Sequence, residues 1–406
     1  MSVTSAMQAG VSGLLSSGEA ISVIGNNLAN VSTTGFKEGR TLFANLLSST
    51  INNGQIGDGS QVQGVQNIFS QGTLETTGSS TDLAIQGNGL FVLQAPNSTQ
   101  QYYSRAGAFA FNNNNILTDP SGNQVLGYGM SDMIKGTSNG VLGTIDLANF
   151  STMAPKATAT LSVAANLDSS SSVPAATWDP TLANFNPTTA SNFSTSATVY
   201  DAQGNAKSLT LYFANTGANT WNLYTYDGTT YTAAGAGTAL TFSGTTGALT
   251  NPSPATISTN GLTVDLTGTT QFASASAVSS QSQDGYAAGT ETGVSIDSQG
   301  MVNVQYSNSQ IQKVAQVALA TFASPTSLNS VGGNLYSATT ASGAAVINNT
   351  SNLSSNTIAS NSLEQSNVDL GDQLTQLITV QQAYEANSKT ITTADEMMQS
   401  VLGIVK

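Results

Sequence analysis

Acid–base chemistry in this chain would look first to its carboxylates, because the sequence contains neither histidine nor cysteine. That removes the Ser/His/Asp and Cys/His nucleophile systems, His- and Cys-based metal sites, and any disulfide framework. The remaining candidates for acid–base work are pairs such as Asp369/Asp372 and Asp395/Glu396. Both pairs fall on a long helical pattern with no associated pocket, where a solvated helix face and the helix dipole account for them. The Asp-x-x-Gly units Asp119–Gly122, Asp201–Gly204 and Asp297–Gly300 could hold calcium only with further acidic oxygens, which their surroundings lack. Each borders an apolar run and reads instead as a hairpin turn with glycine at the positive-φ position. Gly87-Asn88-Gly89 has neither the lysine nor the helix of a phosphate loop. Lys37 and Arg40 flank a turn and read as surface charges. No catalytic, cofactor-binding or metal-binding residue is assigned, and an enzyme is the weakest reading.

The elements that would position any site divide sharply. Met7, Leu14, Ile21 and Leu28, with Val11 beside them, form an apolar stripe of period seven near the start. Leu370, Leu377, Tyr384, Ile391, Met398 and Val405 repeat it near the end, and Leu374, Ile378 and Leu402 widen it. A seven-residue repeat puts its side chains on one helix face, which another helix must cover. Tyr384 reads as simple core in that seam, with a hydroxyl able to reach a polar partner. The first helix carries Gly10, Gly13, Gly18 and Gly25. Each interior glycine costs about 0.5–1 kcal/mol of helix stability, so this helix orders on packing. Gly18 and Gly25 fall at the companion seam positions and would permit close helix approach. Ser366 or Asn367 is the expected N-cap of the second helix, with Asp369 and Asp372 in its first turn.

Between the stripes the pattern is strands and turns. Residues 30–72 lose periodicity and carry Asn52-Asn53-Gly54, Gly57-Asp58-Gly59 and Gly64, the signs of an extended or looped passage. Short apolar runs about Gly87-Asn88-Gly89 follow, then Tyr102–Phe111, Ile116-Leu117 and Val125-Leu126. Hairpin signals recur at Gly204-Asn205, Asp227-Gly228 and Asn260-Gly261. Strand patterning resumes at Gly293–Ile296, Val302–Tyr306 and Val314–Phe322. The expected fold is mixed and mainly β, with two β-rich domains, one inserted in the other, and terminal helices forming a coiled-coil domain. The boundaries expected are 1–29 and 364–406 for the helical domain, 30–72 for the linker, 73–145 and 285–363 for an inner β domain, and 146–284 for an inserted outer one.

Composition fits an assembly subunit. Only 8% of the 406 residues are charged, the net charge is −13 and the nine basic residues are scattered, so nucleic acid and anionic membrane are not expected partners. No run of about 18 apolar residues predicts membrane insertion. Residues 1–9 lack the basic and apolar blocks of a secretory signal peptide.

The run Asn26, Asn27, Leu28, Ala29, Asn30, Val31, Ser32, Thr33, Thr34, Gly35, Phe36, Lys37 closely resembles the N-terminal signature of the bacterial flagellar axial proteins, the rod and hook group. Gln71–Gly78, Asp82–Phe91 and Tyr103–Phe109 resemble the family's next blocks, and Asn367–Leu370, Gln382–Lys389 and Thr393–Met397 its C-terminal motif. The resemblance covers about residues 1–145 and 285–406. Rod members are shorter and lack a large central insertion, so the 140 or so residues that interrupt the frame here place the chain with the hook members. The resemblance implies a curved, flexible homopolymeric tube that encloses an export channel and transmits torque from rod to filament. The terminal helices would line that tube. It also implies as partners the distal rod protein, the hook cap, the hook–filament junction proteins and the flagellar type III export apparatus, which would deliver the chain outside the cell without a cleaved signal peptide. A distal rod subunit is the nearest alternative. A secreted β-rich adhesin is a remoter one, which leaves the paired helical seams unexplained.

Overall fold

The computed structural model describes residues 3–404 apart from 52–53, 234, 260 and 350–355. Val405, Asn52, Asn53 and Asn260, named above for the seam and for turns, lie outside the described residues. The chain divides into two compact units: residues 1–150, 293–305 and 311–406 form unit 1, and residues 151–292 with 306–310 form unit 2. The class is mainly β with a helix near each end.

In unit 1, α1 (Val3–Ala29) and α2 (Leu370–Ile404) lie antiparallel. At 1.5 Å per residue α2 is about 52 Å long. Its N-cap is Asp369, whose Oδ1 accepts the backbone N–H groups of Gly371 at 2.7 Å and Asp372 at 3.2 Å. Ser366 and Asn367 are thus not the cap, and Asn367 has another task described below. The close helix approach is made by Gly10 and Gly13, not by Gly18 and Gly25. A Cβ on Gly13 would stand 2.5 Å from Asn387 Nδ2, and one on Gly10 would stand 2.9 Å from Ile391 Cγ1. Gly18 and Gly25 face open space. The face turned toward α2 runs through residues 10, 13, 17, 20, 24 and 27. This is a second heptad, of small and polar residues apart from Ile24, beside the apolar one.

The passage expected to be extended or looped is a long antiparallel ribbon, Gly39–Ile51 with Gly54–Asn67. Its sequence lacks the β-branched alternation of a strand, and it is held by α1. Ser16 Oγ donates to the Ser60 carbonyl at 3.0 Å, and the Ser60 N–H donates to Ser12 Oγ at 3.2 Å. Gly59, at φ +100°, lets the ribbon touch the helix, since a Cβ there would stand 1.8 Å from Ser12 Oγ.

The β body of unit 1 buries Leu83, Ile85, Phe91, Leu93, Leu117, Val125, Val317 and Leu319 fully, and packs Leu90 and Val92 with Leu126, Ala318, Ala320 and Tyr336. Strand Leu90–Gln94 pairs with Gln101–Ser104 and Gln124–Asp132, which in turn pairs with Ile311–Thr321. Gly87-Asn88-Gly89 joins strands Leu83–Gln86 and Leu90–Gln94, but these two do not form a hairpin. The first pairs with Thr357–Ser360 near the other end of the chain.

Unit 2 builds its core from two sheets. Phe193–Tyr200, Ala206–Gly217, Thr220–Tyr226, Thr238–Phe242 and Leu249–Asn251 follow one another as an antiparallel meander. Strand Thr160–Asp168 centres the other sheet and alternates strictly, burying Leu161, Val163, Ala165 and Leu167. These meet Leu209, Leu211, Phe213, Trp221 and Leu223 from the meander. On the meander's other face Trp178 stacks on Tyr224 with ring centroids 4.3 Å apart. The Asp-x-x-Gly units are turns, as read. Asp201 Oδ1, for example, accepts the N–H groups of Gln203 and Asn205 while Gly204 takes φ +83°. Among the described residues no helix is long and apolar enough to cross a membrane.

Candidate assembly site

The signature run ends inside unit 1, at a buried cluster of charges. Lys37 and Glu364 have fully buried side chains, with Nζ 2.6 Å from Oε1, and Arg105 Nη1 reaches the other oxygen, Oε2, at 3.2 Å. Reading Lys37 as a surface charge was therefore wrong, whereas Arg40 is exposed. Nothing near Lys37 in the chain announces its burial, because its counterion lies 327 residues away.

Two cations around one carboxylate leave an excess positive charge, and backbone carbonyls take up several of the remaining donors, though the buried Arg105 Nε finds no partner among the described residues. Lys37 Nζ also donates to the Ser70 carbonyl at 2.7 Å, and Arg105 donates to the carbonyls of Ile85 and Gly87. Glu364 Oε1 accepts the Gly72 N–H at 2.8 Å, and the Glu364 carbonyl accepts the Gly35 N–H at 2.7 Å. Burial pushes the Lys37 ammonium below the usual lysine range, against the opposing pull of Glu364. Removing one member of such a cluster strands the others in low dielectric at a cost of about 3–5 kcal/mol.

A hydrogen-bond relay runs from this cluster to the helices. Asn27 Nδ2 donates to Gln373 Oε1 at 3.0 Å, and Gln373 Nε2 donates to Glu38 Oε1 at 2.8 Å. The Glu38 N–H donates to Asn367 Oδ1 at 2.8 Å, and Asn367 Nδ2 donates to the Ile68 carbonyl and to Ser70 Oγ. Asn27 also exchanges a pair of hydrogen bonds with the backbone of Gly39. The end of α1, the start of α2 and the root of the ribbon are thus tied at one junction.

The other signature residues shape the turn leading into it. Asn30 Nδ2 bonds back to the Asn26 carbonyl, and the Thr34 carbonyl accepts Asn334 Nδ2. Gly35 is required at φ +68°, because a Cβ there would stand 2.4 Å from the Ala106 backbone nitrogen. Phe36 and Leu28 are half-buried, and Ala29 is exposed. Arg105, Glu364, Glu38 and Gln373 were not singled out from the sequence. The usable signal was charge scarcity, since a lone Arg or Glu inside each apolar block of so weakly charged a chain asks for a partner.

The apolar stripes are placed differently. Along α1 the chain buries Ser17, Ala20, Ile24 and Asn27, while Met7, Leu14, Ile21 and Leu28 are half-buried and Val11 is exposed. Along α2 it buries Gln373 and Ala394, and Leu377 and Ile391 are half-buried. Leu370, Leu374, Ile378, Met398 and Leu402 are exposed. Tyr384, expected to be core, is 43% exposed, because α1 passes on the neighbouring face. The helices thus meet mainly through small and polar residues, with Ile24 and Ile391 joining them, and leave most of the apolar stripe uncovered.

A chain whose buried charges fasten two long helices, and whose apolar helix faces point outward, has the build of a structural assembly subunit. Comparisons with known proteins specify which. Residues 7–37 match the flagella basal body rod protein family, residues 84–166 the flagellar hook protein FlgE/F/G D1 domain, residues 166–286 the flagellar basal body protein FlaE D2 domain, and residues 359–404 the flagellar basal body rod FlgEFG protein C-terminal family. The flagellar hook protein FlgE of Escherichia coli K12 is 34% identical over 411 residues, covering 97% of this chain and 98% of its own length. That of Rhizobium meliloti is 33% identical over 425 residues and covers both chains fully. A crystal structure of Helicobacter pylori flagellar hook protein FlgE2 shares the fold, with a TM-score of 0.53 at 15% identity, over 72% of this chain and all of its own. The chain belongs to the flagellar hook protein FlgE family, a family of structural subunits of the bacterial flagellar hook.

Proposed function

We propose that this chain polymerises through the uncovered faces of α1 and α2 into a curved, flexible tube that surrounds an export channel and carries torque from rod to filament. The observation that carries the reading is the apolar stripe Leu370, Leu374, Ile378, Tyr384, Met398 and Leu402, exposed on a helix whose own-chain partner touches it elsewhere. Contiguous apolar faces of this kind are covered in assemblies. Met7, Val11, Leu14, Ile21 and Leu28 supply the matching surface on α1. In this reading residues 1–29 and 364–406 form the inner wall, 30–72 pack outside it, 73–145 with 285–363 form the middle layer, and 146–284 face outward. Copies of the same chain are the main partner. The distal rod protein, the hook cap and the hook–filament junction proteins bind at the tube's two ends, and the flagellar type III apparatus delivers the chain to the cell exterior. Electron microscopy of polymers grown from the purified chain tests the proposal. Curved tubes are expected; straight rods would favour a distal rod subunit, and chains that never assemble would refute both.

A further inference from the structure

The segment from Asn356 to Glu364 lies far along the chain from the N-terminal body, yet most of its pairing is made there, with Ile296 and Ser298 supplying further carbonyl acceptors. Asn356 is 2% exposed, and its Oδ1 accepts the N–H groups of Asn88 at 2.8 Å and Gly89 at 3.2 Å. Strand Thr357–Ser360 pairs antiparallel with Leu83–Gln86 and inserts Ile358 into the core. Strand Ser362–Glu364 pairs with Leu74–Thr76. Gly72 is shaped for the segment, since a Cβ there would stand 2.1 Å from the Gln365 carbonyl oxygen. At its end Glu364 seats between Lys37 and Arg105, at separations of 327 and 259 residues.

These features make a binding site with a definite ligand chemistry. Two free strand edges supply main-chain pairing, a slot takes one apolar side chain, and two buried cations require one carboxylate at the end. An extended strand that docks by edge pairing with side-chain pockets is a known recognition mode. Without the segment the Lys37 and Arg105 cations have no counterion, a state that burial strongly disfavours. Loop closure over hundreds of residues must also precede any gain from these contacts.

We infer that residues 35–37, 70–89 and 105, with 296–300 beside them, form a receiving site for an extended, carboxylate-bearing strand, that residues 356–364 are its ligand, and that their docking closes the β body of unit 1. The site makes closure conditional on a complete chain, because a chain ending before Glu364 has no carboxylate to seat. Unit 2, whose core strands all lie within residues 151–292, carries no such condition. The inference concerns folding of the single chain and stands whether or not the helices polymerise.

Pulse-labelled amide hydrogen exchange during refolding of the full chain tests it. The hairpin Leu90–Gln94 with Gln101–Ser104 does not itself pair with the docking segment, so its protection reports closure of the body. Its amides should become protected in the same kinetic phase as those of Thr357–Ser360. Protection of the hairpin in an earlier phase would overturn the inference. In the full-length Glu364→Gln chain the closed-to-open ratio of unit 1 should fall about a thousandfold, the size expected for stranding buried cations. A fall of less than tenfold would likewise overturn it, and the wild-type labelling decides the matter even if the variant does not close.

Discussion

Units 1 and 2 are both β-rich, but they are closed by different forces. Unit 2 is stapled by a contiguous apolar core, with Trp221, Phe213, Leu211 and Leu161 fully buried and drawn from strands that all lie within residues 151–292. Unit 1 has an apolar core as well, but its helices, ribbon and β body converge on Lys37, Arg105 and Glu364, which come from distant parts of the chain. An apolar core tolerates repacking and degrades gradually. A buried charge cluster fails abruptly when one member is lost. The difference teaches that the helical ends, which carry the proposed assembly surfaces, are tied to a charge cluster that needs the C-terminal segment, while unit 2 holds its fold by apolar packing within residues 151–292.

The largest effect should come from breaking the charge cluster. Glu364→Gln costs unit 1 about 3–5 kcal/mol and leaves the unfolding transition of unit 2 in place, as site-resolved hydrogen exchange in denaturant would show. Replacing Lys37, Arg105 and Glu364 together by methionine should recover most of that loss, since apolar residues of similar volume can replace a buried ion cluster. Failure of the triple variant to recover would mean that the cluster's geometry, not its charge balance, holds the junction. The reciprocal test is Leu211→Ala, which should cost unit 2 about 2–5 kcal/mol while the exchange rates of Leu83–Gln86 in unit 1 stay unchanged.

Alkali should next separate the units. Burial pushes the Tyr336 phenol in unit 1 up to about 12, with Arg105 pulling it the other way. A raised value means that the folded state holds the proton more tightly. That stabilisation is whole below the ordinary value of 10.0 and is lost as pH climbs to about 12, an effect of about 2–3 kcal/mol. Lys37 acts in the opposite sense. Its lowered value means that the unfolded chain binds the proton better between that value and 10.5, so its contribution to stability rises with pH through that window. The Tyr336→Phe variant should lose most of the decline of unit 1 above pH 10, Tyr103 keeping a smaller part, and leave the rise intact, in a thermal-melt series across alkaline pH.

The smallest effect lies in acid. Hydroxyls of Ser170, Thr181 and Thr267 hold the carboxyls of Asp168, Asp179 and Asp265 in unit 2 below the usual range. Lowered values give stability that is present above the unfolded value and lost as pH falls through the folded one. Changing all three to asparagine should shrink the acid limb of unit 2, with Asp201, Asp227 and Asp284 supplying what remains, and leave that of unit 1 unaltered.

The parts legible in the sequence were those set locally. The helices, the Asp-x-x-Gly turns and the hairpin through Gly204-Asn205 follow from periodicity and turn chemistry within a few residues. The ribbon Gly39–Asn67 was missed because Gln, Ser and Gly give no strand alternation, and its support is Ser12 and Ser16 of α1. The burial of Lys37 was illegible because it depends on Glu364 from the far end of the chain. The helix pairing was half legible. The apolar heptads were plain, but a parallel heptad of Gly10, Gly13, Ser17, Ala20, Ile24 and Asn27 took the contact with α2 and left them outward.

That outward stripe is the centre of the account, and sedimentation of a Leu374→Asp/Ile378→Asp/Leu402→Asp chain under polymerising conditions tests it most directly. The variant should remain monomeric, with the Lys37–Glu364 junction and both β cores still protected from exchange, while the wild-type chain pellets as tubes. Tubes formed by the variant to the wild-type extent would contradict the claim that these helix faces build the polymer.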